Sequence, residues 1–488
     1  MKKALILLII IAVSFCCAVK KTTREPLYNL LVIVSDALRA DALSCYGGEA
    51  DTPNISQLAE EGVLFENAYS NSSWTVPSSI SMFTGTYPGA FGQLVIENWD
   101  IVGNRPPFFM VNDRQVLLAE ALGKKGYDVY YDLESGLASR SNVTQGFTDY
   151  KQNEYYASKP RWFWKKAMQP EFEGQIYDKD VPIFHYLFST ERKFFFMKWI
   201  FDPHTVYSPP ENFKAKINVD VSKLTRDREY YERIGSKHDP GPDTLQEVGP
   251  TFNEHELRYL KDLYLKEIES VDERVGYILK ALDSKGLRDK TIIVFTSDHG
   301  ESFGEQGLFG HGGLFYEERV HVPLIISGPG IVRGKRVKES VSHIDLMPTL
   351  KDLLMVDCLH NAEGKSYKSV LVDEKSSLED REIYFTLGEP LNMTDQKIQD
   401  GLKYKNYKMI MLSKNNIRLF DLIEDPDELH DLSKKKKNLV EEMKAKIMAI
   451  REENERRKQE NLKNLDPGTL KKVNEETLKQ LRALGYIK

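Results

Sequence analysis

The sequence has few cysteines, a small net charge and little long apolar sequence, and each shortage excludes a class of protein. Four cysteines in 488 residues are too few for a disulfide scaffold. Cys45 and Cys358, the two outside the N-terminal segment, are expected to be buried thiols. A formal net charge of −6 gives no reason to expect nucleic acid as a partner. With 41% hydrophobic residues, the chain can form a sizeable globular core.

The longest apolar run lies at the N-terminus. Residues 4–18 are almost wholly apolar, two lysines precede them, and a charged stretch follows. This pattern predicts a secretory signal peptide within residues 1–24. A retained membrane anchor, or a lipid on Cys16 or Cys17, is the alternative. We therefore expect an exported protein: periplasmic, extracellular, or attached to the outer side of a membrane through its N-terminus.

Short apolar runs rich in β-branched residues alternate with segments whose apolar residues have helical spacing. The runs at residues 30–34, 194–201 and 291–296 predict strands that are buried on both faces. Residues 257–282 have the apolar spacing of a long helix. This alternation predicts an α/β domain with a mostly parallel central sheet.

The composition changes along the chain and suggests three parts after the leader. We predict a catalytic domain at residues 27–381, a small antiparallel α+β subdomain at 382–435 and a charged helical tail at 436–488. Residues 150–174 and 209–250 resemble insertions. Either they are loops over the active site, or they are surface excursions, the first with an aromatic core of its own.

Polar side chains of the metal-ligand type stand at the ends of three predicted strands. Asp36 follows the first, Asp202 and His204 follow the second, and Asp298 and His299 follow the third. Any one of them could serve to cap a helix. In open α/β sheets, however, ligands bind beyond the carboxyl ends of the strands. The combination therefore predicts one site at this edge of the sheet.

Several sequence blocks, in one order along the chain, resemble those of a known family. Residues 29–47 (NLLVIVSDALRADALSCYG) and residues 75–88 (TVPSSISMFTGTYP) resemble the opening strand with its loop and the nucleophile signature of the sulfatases, a family of the alkaline phosphatase superfamily. The resemblance implies an alkaline-phosphatase-like α/β sandwich and ester hydrolysis. Further blocks in family order are residues 52–55, 65–69, 202–207, 296–301, 311–313, 321–325, 342–350, 420–426 and 481–486.

The resemblance also implies roles for individual residues. A divalent cation beside an oxygen nucleophile lowers the nucleophile's pKa and neutralises charge that develops on the ester. A helix that begins at the nucleophile adds amide donors for the bound anion. The implied metal ligands are Asp36, Thr75, Asp298 and His299; the implied catalytic residues are Thr75, His204 and His311, of which His204 and His311 also bind substrate.

The chain departs from the family at several of these positions. Sulfatases oxidise a Cys or Ser to formylglycine where this chain has Thr75, and threonine cannot form that aldehyde, so no formylglycine is expected. Ala37 replaces a carboxylate, Ser79 replaces an arginine and His311 replaces a lysine. One carboxylate fewer, together with an imidazole from His299, favours Mn²⁺ or Zn²⁺ over Ca²⁺.

These departures leave several functions open. The overall sequence predicts a sulfatase-family hydrolase of sulfuric esters, whereas an unmodified threonine favours phosphoric or phosphonic esters, as in the phosphoethanolamine and phosphoglycerol transferases and related phosphodiesterases. A phosphotransferase with a lipid or glycan acceptor is one alternative. A non-catalytic protein that binds glycans is another. The substrate alcohol would be a glycan, a lipid head group or a small organic compound.

Overall fold

A computed structural model describes residues 28–91, 111, 115–134, 142–172, 176–231, 252–387, 400–413 and 415–463. The predicted leader, parts of both proposed insertions and the block at residues 481–486 lie outside the described residues. Among the helices that are described, none is long and apolar enough to cross a membrane.

Sixteen described strands form one large sheet and three small ones. In chain order they are β1 (Asn29–Ser35), β2 (Gly62–Phe65), β3 (Ala68–Tyr69), β4 (Asp128–Leu133), β5 (Thr148–Asp149), β6 (Phe194–Ile200), β7 (Thr291–Ser297), β8 (Ser302–Phe303), β9 (Phe309–Gly310), β10 (Leu324–Ser327), β11 (Lys335–Val337), β12 (Val341–Ser342), β13 (Ile383–Thr386), β14 (Asp400–Tyr404), β15 (Tyr407–Ser413) and β16 (Asn416–Asp421).

The described α-helices lie mainly between these strands. They are α1 (Pro53–Glu60), α2 (Thr75–Thr84), α3 (Leu118–Lys124), α4 (Glu154–Ala157), α5 (Arg161–Phe172), α6 (Val181–Ser189), α7 (Glu211–Lys214), α8 (Arg228–Tyr231), α9 (Glu254–Ser284), α10 (Glu317–Val320), α11 (Leu346–Leu353), α12 (Lys368–Val372) and α13 (Lys437–Lys463).

The central sheet has eight strands in the order β11-β2-β10-β7-β1-β6-β4-β5. β1 lies between β6 and β7 and is parallel to both, whereas β10 is antiparallel to β7 and β2. The prediction of an α/β domain with a mostly parallel sheet is therefore confirmed. This order also places the ends of β6, β1 and β7 side by side, which positions the polar residues that follow them.

The sheet is buried on both faces. Leu30, Val32 and Val34 belong to one hydrophobic cluster and Leu31 and Ile33 belong to another. Side chains alternate between the two faces of a strand, so the apolar run of β1 supplies both clusters. Helices α2 and α11 cover the first face and the long helix α9 covers the second, which produces the predicted sandwich.

The C-terminal part contains a four-stranded antiparallel sheet in the order β13-β14-β15-β16. Helix α13 packs on it through Val440, Met443 and Ile447. Alternating apolar residues at 383–387, 407–412 and 417–422 predict β13, β15 and β16, but β14 was not predicted, because its sequence DGLKY has few apolar residues. The boundaries proposed at residues 382 and 436 remain predictions.

Two smaller expectations can be compared with the structure. Cys358 is buried, but Cys45 is only partly buried, and neither forms a disulfide. In the segment at residues 150–174, the indole of buried Trp164 donates a hydrogen bond to the carbonyl of Tyr156 and stacks on its ring. Tyr156 and Trp164 belong to the same hydrophobic cluster as Leu31 and Ile33 of β1, so the segment extends the main core and the expectation of a separate aromatic core is wrong.

Candidate active site

Two parallel strands end side by side and carry the candidate metal ligands. β1 pairs with β7 up to Ser35 and Ser297, the last residue of each strand. Asp36 and Asp298 come next and are therefore neighbours, and both are completely buried, as is His299. Charged side chains at such a place are costly unless a partner compensates them.

The side-chain atoms that face one another lack ordinary partners. Asp36 Oδ1 and Asp298 Oδ2 have no hydrogen-bond partner among the described residues. His299 Nε2 lies 3.7 Å from the first oxygen and 3.4 Å from the second. One ligand atom from each residue lies within 4.8 Å of the others. Two unsatisfied carboxylate oxygens and a ring nitrogen at this spacing are a donor set for one divalent cation.

The other carboxylate oxygens are held by hydrogen bonds. The indole N–H of Trp199 donates to Asp36 Oδ2 at 3.1 Å. The backbone N–H groups of Ala37 and His299 donate to Asp298 Oδ1 at 3.1 and 3.0 Å. Each carboxylate is thus fixed by one oxygen and presents the other to the centre, as outer partners of metal ligands do.

A strained turn brings the Ala37 amide to this position. Ala37 has a φ of 57°, in the left-handed region that residues with a Cβ rarely adopt. The hydroxyl of buried Tyr264 donates to the Ala37 carbonyl and accepts from the Arg39 amide, both at 2.9 Å. Where the resemblance leads one to expect a second carboxylate at position 37, this chain therefore supplies a backbone donor.

The tautomer of His299 suits a metal ligand. Its Nδ1–H donates to the carbonyl of Gly300 at 3.0 Å, which leaves the lone pair on Nε2. Burial lowers the pKa of His299 to about 4, so the ring is neutral at pH 7. Burial also raises the pKa of Asp298, and it raises the pKa of Asp36 well above 3.8 with help from the Asp298 charge. The raised carboxyl pKa values show that the described residues supply too little positive charge to stabilise both carboxylates, and a bound cation would supply it.

Thr75 stands at the start of a buried helix and faces the same point. It is the first of the ten residues of α2, all of which are buried. Its Oγ1 lies 3.3 Å from His299 Nε2. The first amide N–H groups of an α-helix have no partner within the helix and carry positive potential. The N-terminus of α2 therefore supplies both a hydroxyl nucleophile and amide N–H donors for a bound anion.

Three imidazoles cluster at the centre. The His311 ring lies 4.7 Å from that of His204 and 4.5 Å from that of His299, between centroids. His204 Nδ1–H donates to the carbonyl of Thr205 at 2.7 Å, and its Nε2 has no hydrogen-bond partner among the described residues. Burial lowers the pKa of His204 to about 4 and that of His311 to about 3. Both rings are therefore neutral at pH 7.

Glu301 was not predicted from the sequence as a site residue. This buried carboxyl accepts a hydrogen bond from His311 Nδ1 at 3.0 Å and lies 3.5 Å from the Thr205 hydroxyl. It thereby fixes the orientation of the His311 ring. Its position two residues after His299 was a usable signal, but the spacing alone does not show that the side chain turns towards His311.

Two expected neighbours face away from the centre. The Asp202 carboxylate pairs with Lys179 and Arg274, each at 3.0 Å, so the strand-end prediction is wrong for this residue. The Ser79 hydroxyl donates to the Thr75 carbonyl at 2.7 Å, within α2. Ser79 stands at the position of the arginine that the sulfatase resemblance implies, but it does not supply a cationic contact for a bound anion. The structure brings together Asp36, Thr75, His204, Asp298, His299 and His311, all predicted from the sequence.

Comparison with known families agrees with this geometry. The family described as Sulfatase matches residues 28–356, and the family described as N-sulphoglucosamine sulphohydrolase, C-terminal, matches residues 304–453. The first match spans all eight strands of the central sheet, and the second spans the four-stranded C-terminal sheet.

Individual proteins extend the comparison. Arylsulfatase K of Xenopus laevis is 24% identical over 478 residues, covering 89% of this chain and 84% of that protein. N-acetylglucosamine-6-O-sulfatase of Bacteroides thetaiotaomicron is 25% identical over 502 residues, covering 86% of each. The crystal structure of a phosphonate monoester hydrolase of Agrobacterium radiobacter has the same fold, with a TM-score of 0.66, 21% identity and coverage of 88% of this chain and 96% of that one.

Proposed function

The chain belongs to the sulfatase family of the alkaline phosphatase superfamily and is an ester hydrolase, and on this premise we propose that it cleaves sulfuric or phosphoric esters with unmodified Thr75 as nucleophile. The observation that carries the proposal is the convergence of Thr75 Oγ1 with the unpaired oxygens of Asp36 and Asp298 and with His299 Nε2. A hydroxyl in this position needs no oxidation to act.

The proposed reaction has two displacements. Thr75 Oγ1 forms a bond to phosphorus or sulfur as the bond to the leaving alcohol breaks, and the alcohol departs with a proton. Water then attacks the esterified threonine, restores the hydroxyl and releases the acid. A bound divalent cation, Mn²⁺ or Zn²⁺ in preference to Ca²⁺, would lower the pKa of the threonine hydroxyl and neutralise the ester oxygens.

The neutral imidazoles have proton-handling roles in this scheme. His204 Nε2 is available to accept the proton of the attacking water, and His311, oriented by Glu301, faces the same space. Both rings would also contact the anionic ester. Without the arginine expected at position 79, the amide groups at the start of α2 supply anion contacts.

A phosphorus ester is our first candidate for the substrate. An ordinary threonine is regenerated more easily from a phosphate ester than from a sulfate ester, and the Asp-Asp-His donor set fits a transition metal. A sulfate ester is the second candidate. A sulfate ester is favoured because relatives that match most of the chain are named sulfatases. One of these names specifies N-acetylglucosamine. A sulfated or phosphorylated glycan is therefore the first alcohol half to test.

The first experiment compares wild type, Thr75→Ala and Thr84→Ala. Each is assayed on aryl sulfate, aryl phosphate, aryl phosphodiester and phosphonate monoester, with Mn²⁺, Zn²⁺ or Ca²⁺ added after chelation. Thr84 is the matched control, because it ends the same buried helix and donates to the Ile80 carbonyl. We expect Thr75→Ala to lower kcat by at least about a thousandfold and Thr84→Ala to keep turnover.

The other outcomes separate the alternatives. Turnover of aryl sulfate alone would establish a sulfatase that works without its aldehyde. A mass of the Thr75 peptide that differs from unmodified threonine would contradict our nucleophile. Turnover that rises with an added lipid or glycan alcohol would indicate a transferase, and intact Thr75→Ala activity would contradict the proposed site altogether.

We also propose that the enzyme works outside the cytoplasm, on the basis of the apolar leader within residues 1–24. Cell fractionation with mass determination of the mature N-terminus tests this location. A mature chain that begins near residue 25, or a lipid on Cys16 or Cys17, would support export. A full-length chain in the cytoplasmic fraction would contradict it.

A further inference from the structure

A short hairpin carries two residues of the candidate active site at its open end. Its strands β8 and β9 are antiparallel, with Ser302 opposite Gly310. Glu301 directly precedes β8 and His311 directly follows β9, and the hydrogen bond between them joins the two sides. A two-stranded hairpin is at best marginally stable by itself. The placement of the His311 ring therefore depends on what holds this end of the hairpin.

Arg319, a buried residue of α10, contacts both sides of the open end. Its Nε donates to the hydroxyl of Ser302, the residue after Glu301, at 2.7 Å. Its Nη1 donates to the carbonyl of Gly312, the residue after His311. A guanidinium is planar, so its donors have a fixed separation. One side chain therefore sets the spacing between the segments that carry Glu301 and His311.

Backbone hydrogen bonds connect the same place to the metal ligands and the nucleophile. The Arg319 carbonyl accepts the N–H of Gly300, the residue after His299, at 2.9 Å. The Gly312 N–H donates to the carbonyl of Ser73, in the loop before α2, at 2.7 Å. Gly312 is thus held by Arg319 on one side and by the nucleophile loop on the other.

Stability alone does not account for a cation at this place. Arg319 is 0% exposed, and its Nη2 has no hydrogen-bond partner among the described residues. Burial lowers the pKa of Arg319, although the charges of Glu318 and Glu301 oppose this effect. A buried charge with an unsatisfied donor is costly, and an apolar side chain of similar volume is often no less stable. What the arginine adds is a pair of donors directed at the hairpin.

We propose that Arg319 is a positioning residue, which holds the His311 ring towards the centre through its hydrogen bonds to Ser302 and Gly312. Arg319 acts through the hairpin and needs no contact with the ester. The consequence for catalysis rests on the proposed function, because it requires that His311 contacts the ester.

The first test observes the His311 ring without using activity. Nitrogen NMR of the zinc-loaded full chain with isotope-labelled histidine shows which ring nitrogen carries the proton, and the loss of one signal in His311→Ala identifies the ring. In wild type we expect the proton on Nδ1, which donates to Glu301. In Arg319→Met both donors to the hairpin are lost. The two nitrogen shifts should then move towards the average of the two tautomers.

The second test is kinetic and separates positioning from general damage. Arg319→Met should lower kcat by at least about a hundredfold, the usual scale of a proton-handling group. The Kd for Mn²⁺ should stay within about threefold, because the side chain donates to Ser302 and Gly312 and not to a candidate metal ligand. In a His311→Ala background, Arg319→Met should lower kcat by less than about threefold, because the ring to be positioned is gone.

Three further variants keep these tests decisive. Arg319→Lys keeps the charge but has no planar fork of donors, so it should lose nearly as much kcat as Arg319→Met. Arg451→Met is the matched control, because Arg451 is a partly buried arginine that pairs with Asp400 of β14; its kcat and His311 signal should equal those of wild type. If Arg319→Met does not fold, Ser302→Ala removes one of the two contacts and should change both readouts in the same direction.

Three results would overturn the proposal: a His311 signal that Arg319→Met leaves unchanged, an equal loss of kcat with and without the His311 ring, or full activity of Arg319→Lys. The two readouts also separate this inference from the proposed function. If wild type hydrolyses no ester but the His311 signal moves in Arg319→Met, the proposed function is wrong and the positioning role stands. If turnover requires Thr75 but not Arg319, only the positioning role is wrong.

Discussion

Two groups of buried carboxylates on neighbouring strands are neutralised in different ways. In one group, carboxylates from β4, from the residue after it and from the residue before α6 surround two buried cations, which β6 and α9 supply. In the other, at the candidate centre, Asp36 Oδ1 and Asp298 Oδ2 have no partner among the described residues. The first group consists of Asp132, Glu134 and Asp180 around Lys198 and Arg274, whose side chains are 0% and 1% exposed.

The pKa directions express the difference. Burial alone would raise the pKa of Glu134 and Asp180, but Lys198 and Arg274 outweigh it and lower both pKa values. At the centre burial prevails, and the pKa values of Asp36 and Asp298 are raised. Burial alone therefore does not tell a structural carboxylate from a functional one. What distinguishes them is whether the chain supplies the compensating cation.

The largest expected effect comes from a substitution at the candidate centre, where no side chain supplies a cation to the carboxylates of Asp36 and Asp298 among the described residues. Asp298→Asn keeps an acceptor for the Ala37 and His299 amides but removes the negative charge. We expect bound Mn²⁺ per chain to fall from about one to near zero and kcat/KM to fall by at least about 10⁴-fold. Elemental analysis and ester hydrolysis measure both.

The same variant tests the electrostatic argument through stability. Apo Asp298→Asn should be at least as stable as the apo wild type, because it removes an uncompensated buried charge. Adding Mn²⁺ at about a thousand times its Kd should stabilise the wild type by about 4 kcal/mol and leave the variant unchanged. An apo variant that is much less stable than apo wild type would show that Asp298 has a structural role.

Breaking the other group should give the opposite pattern. Arg274→Met leaves Asp180 and Glu134 with one buried cation, Lys198, in place of two, so we expect the free energy of unfolding to fall by about 3–5 kcal/mol. The folded fraction should bind Mn²⁺ as wild type does. Lys179→Met is the matched control: Lys179 is half exposed and also pairs with Asp202, and its loss should cost less than about 1 kcal/mol. Urea unfolding distinguishes them, and equal losses would contradict the comparison.

A third group is intermediate, because one buried lysine serves two carboxylates. Lys408 pairs with Glu317 at 2.7 Å and with Glu428 at 2.8 Å. Burial, opposed by Lys408 and assisted by Glu317, raises the pKa of Glu428 to about 8. The folded protein therefore keeps a proton that the unfolded chain loses near its ordinary pKa of 4.5.

This shift predicts a specific pH dependence. The stability that protonated Glu428 contributes is present below about pH 4.5 and is lost as the pH rises through about 8. Glu428→Gln should remove that decline, which for a shift of this size is about 5 kcal/mol. Urea unfolding at intervals across this pH range measures it, and parallel curves for variant and wild type would refute the assignment.

The sequence was sufficient for the strands and for the residues that directly follow them. Apolar runs such as β1 and β7 are buried on both faces, so their ends, and the polar residues beyond, can be located from the pattern. β14 could not be located, because its few apolar residues gain their burial from neighbouring strands. Trp199 could not be assigned a role either: it lies within an apolar run and has the pattern of a core residue.

Only the strand pairing shows what Trp199 does. In the β1–β6 pair, Trp199 lies opposite Val34, and Val34 is two residues before Asp36. From this position the indole N–H of Trp199 donates to Asp36 Oδ2. The remaining oxygen of Asp36 is thereby directed to the centre. Trp199 is thus a positioning residue that belongs to the group without an internal cation, although its own side chain is neutral.

The smallest expected effect therefore comes from Trp199→Phe, which keeps the aromatic packing and removes the N–H. With one oxygen of Asp36 no longer held, the Kd for Mn²⁺ should rise about tenfold, while kcat at saturating Mn²⁺ should change by less than about threefold. Trp164→Phe is the control, because Trp164 is also buried but donates to the Tyr156 carbonyl away from the centre. A Kd that both variants leave unchanged would mean that burial alone orients Asp36. A kcat that falls with the Kd unchanged would instead place Trp199 in contact with the reacting ester.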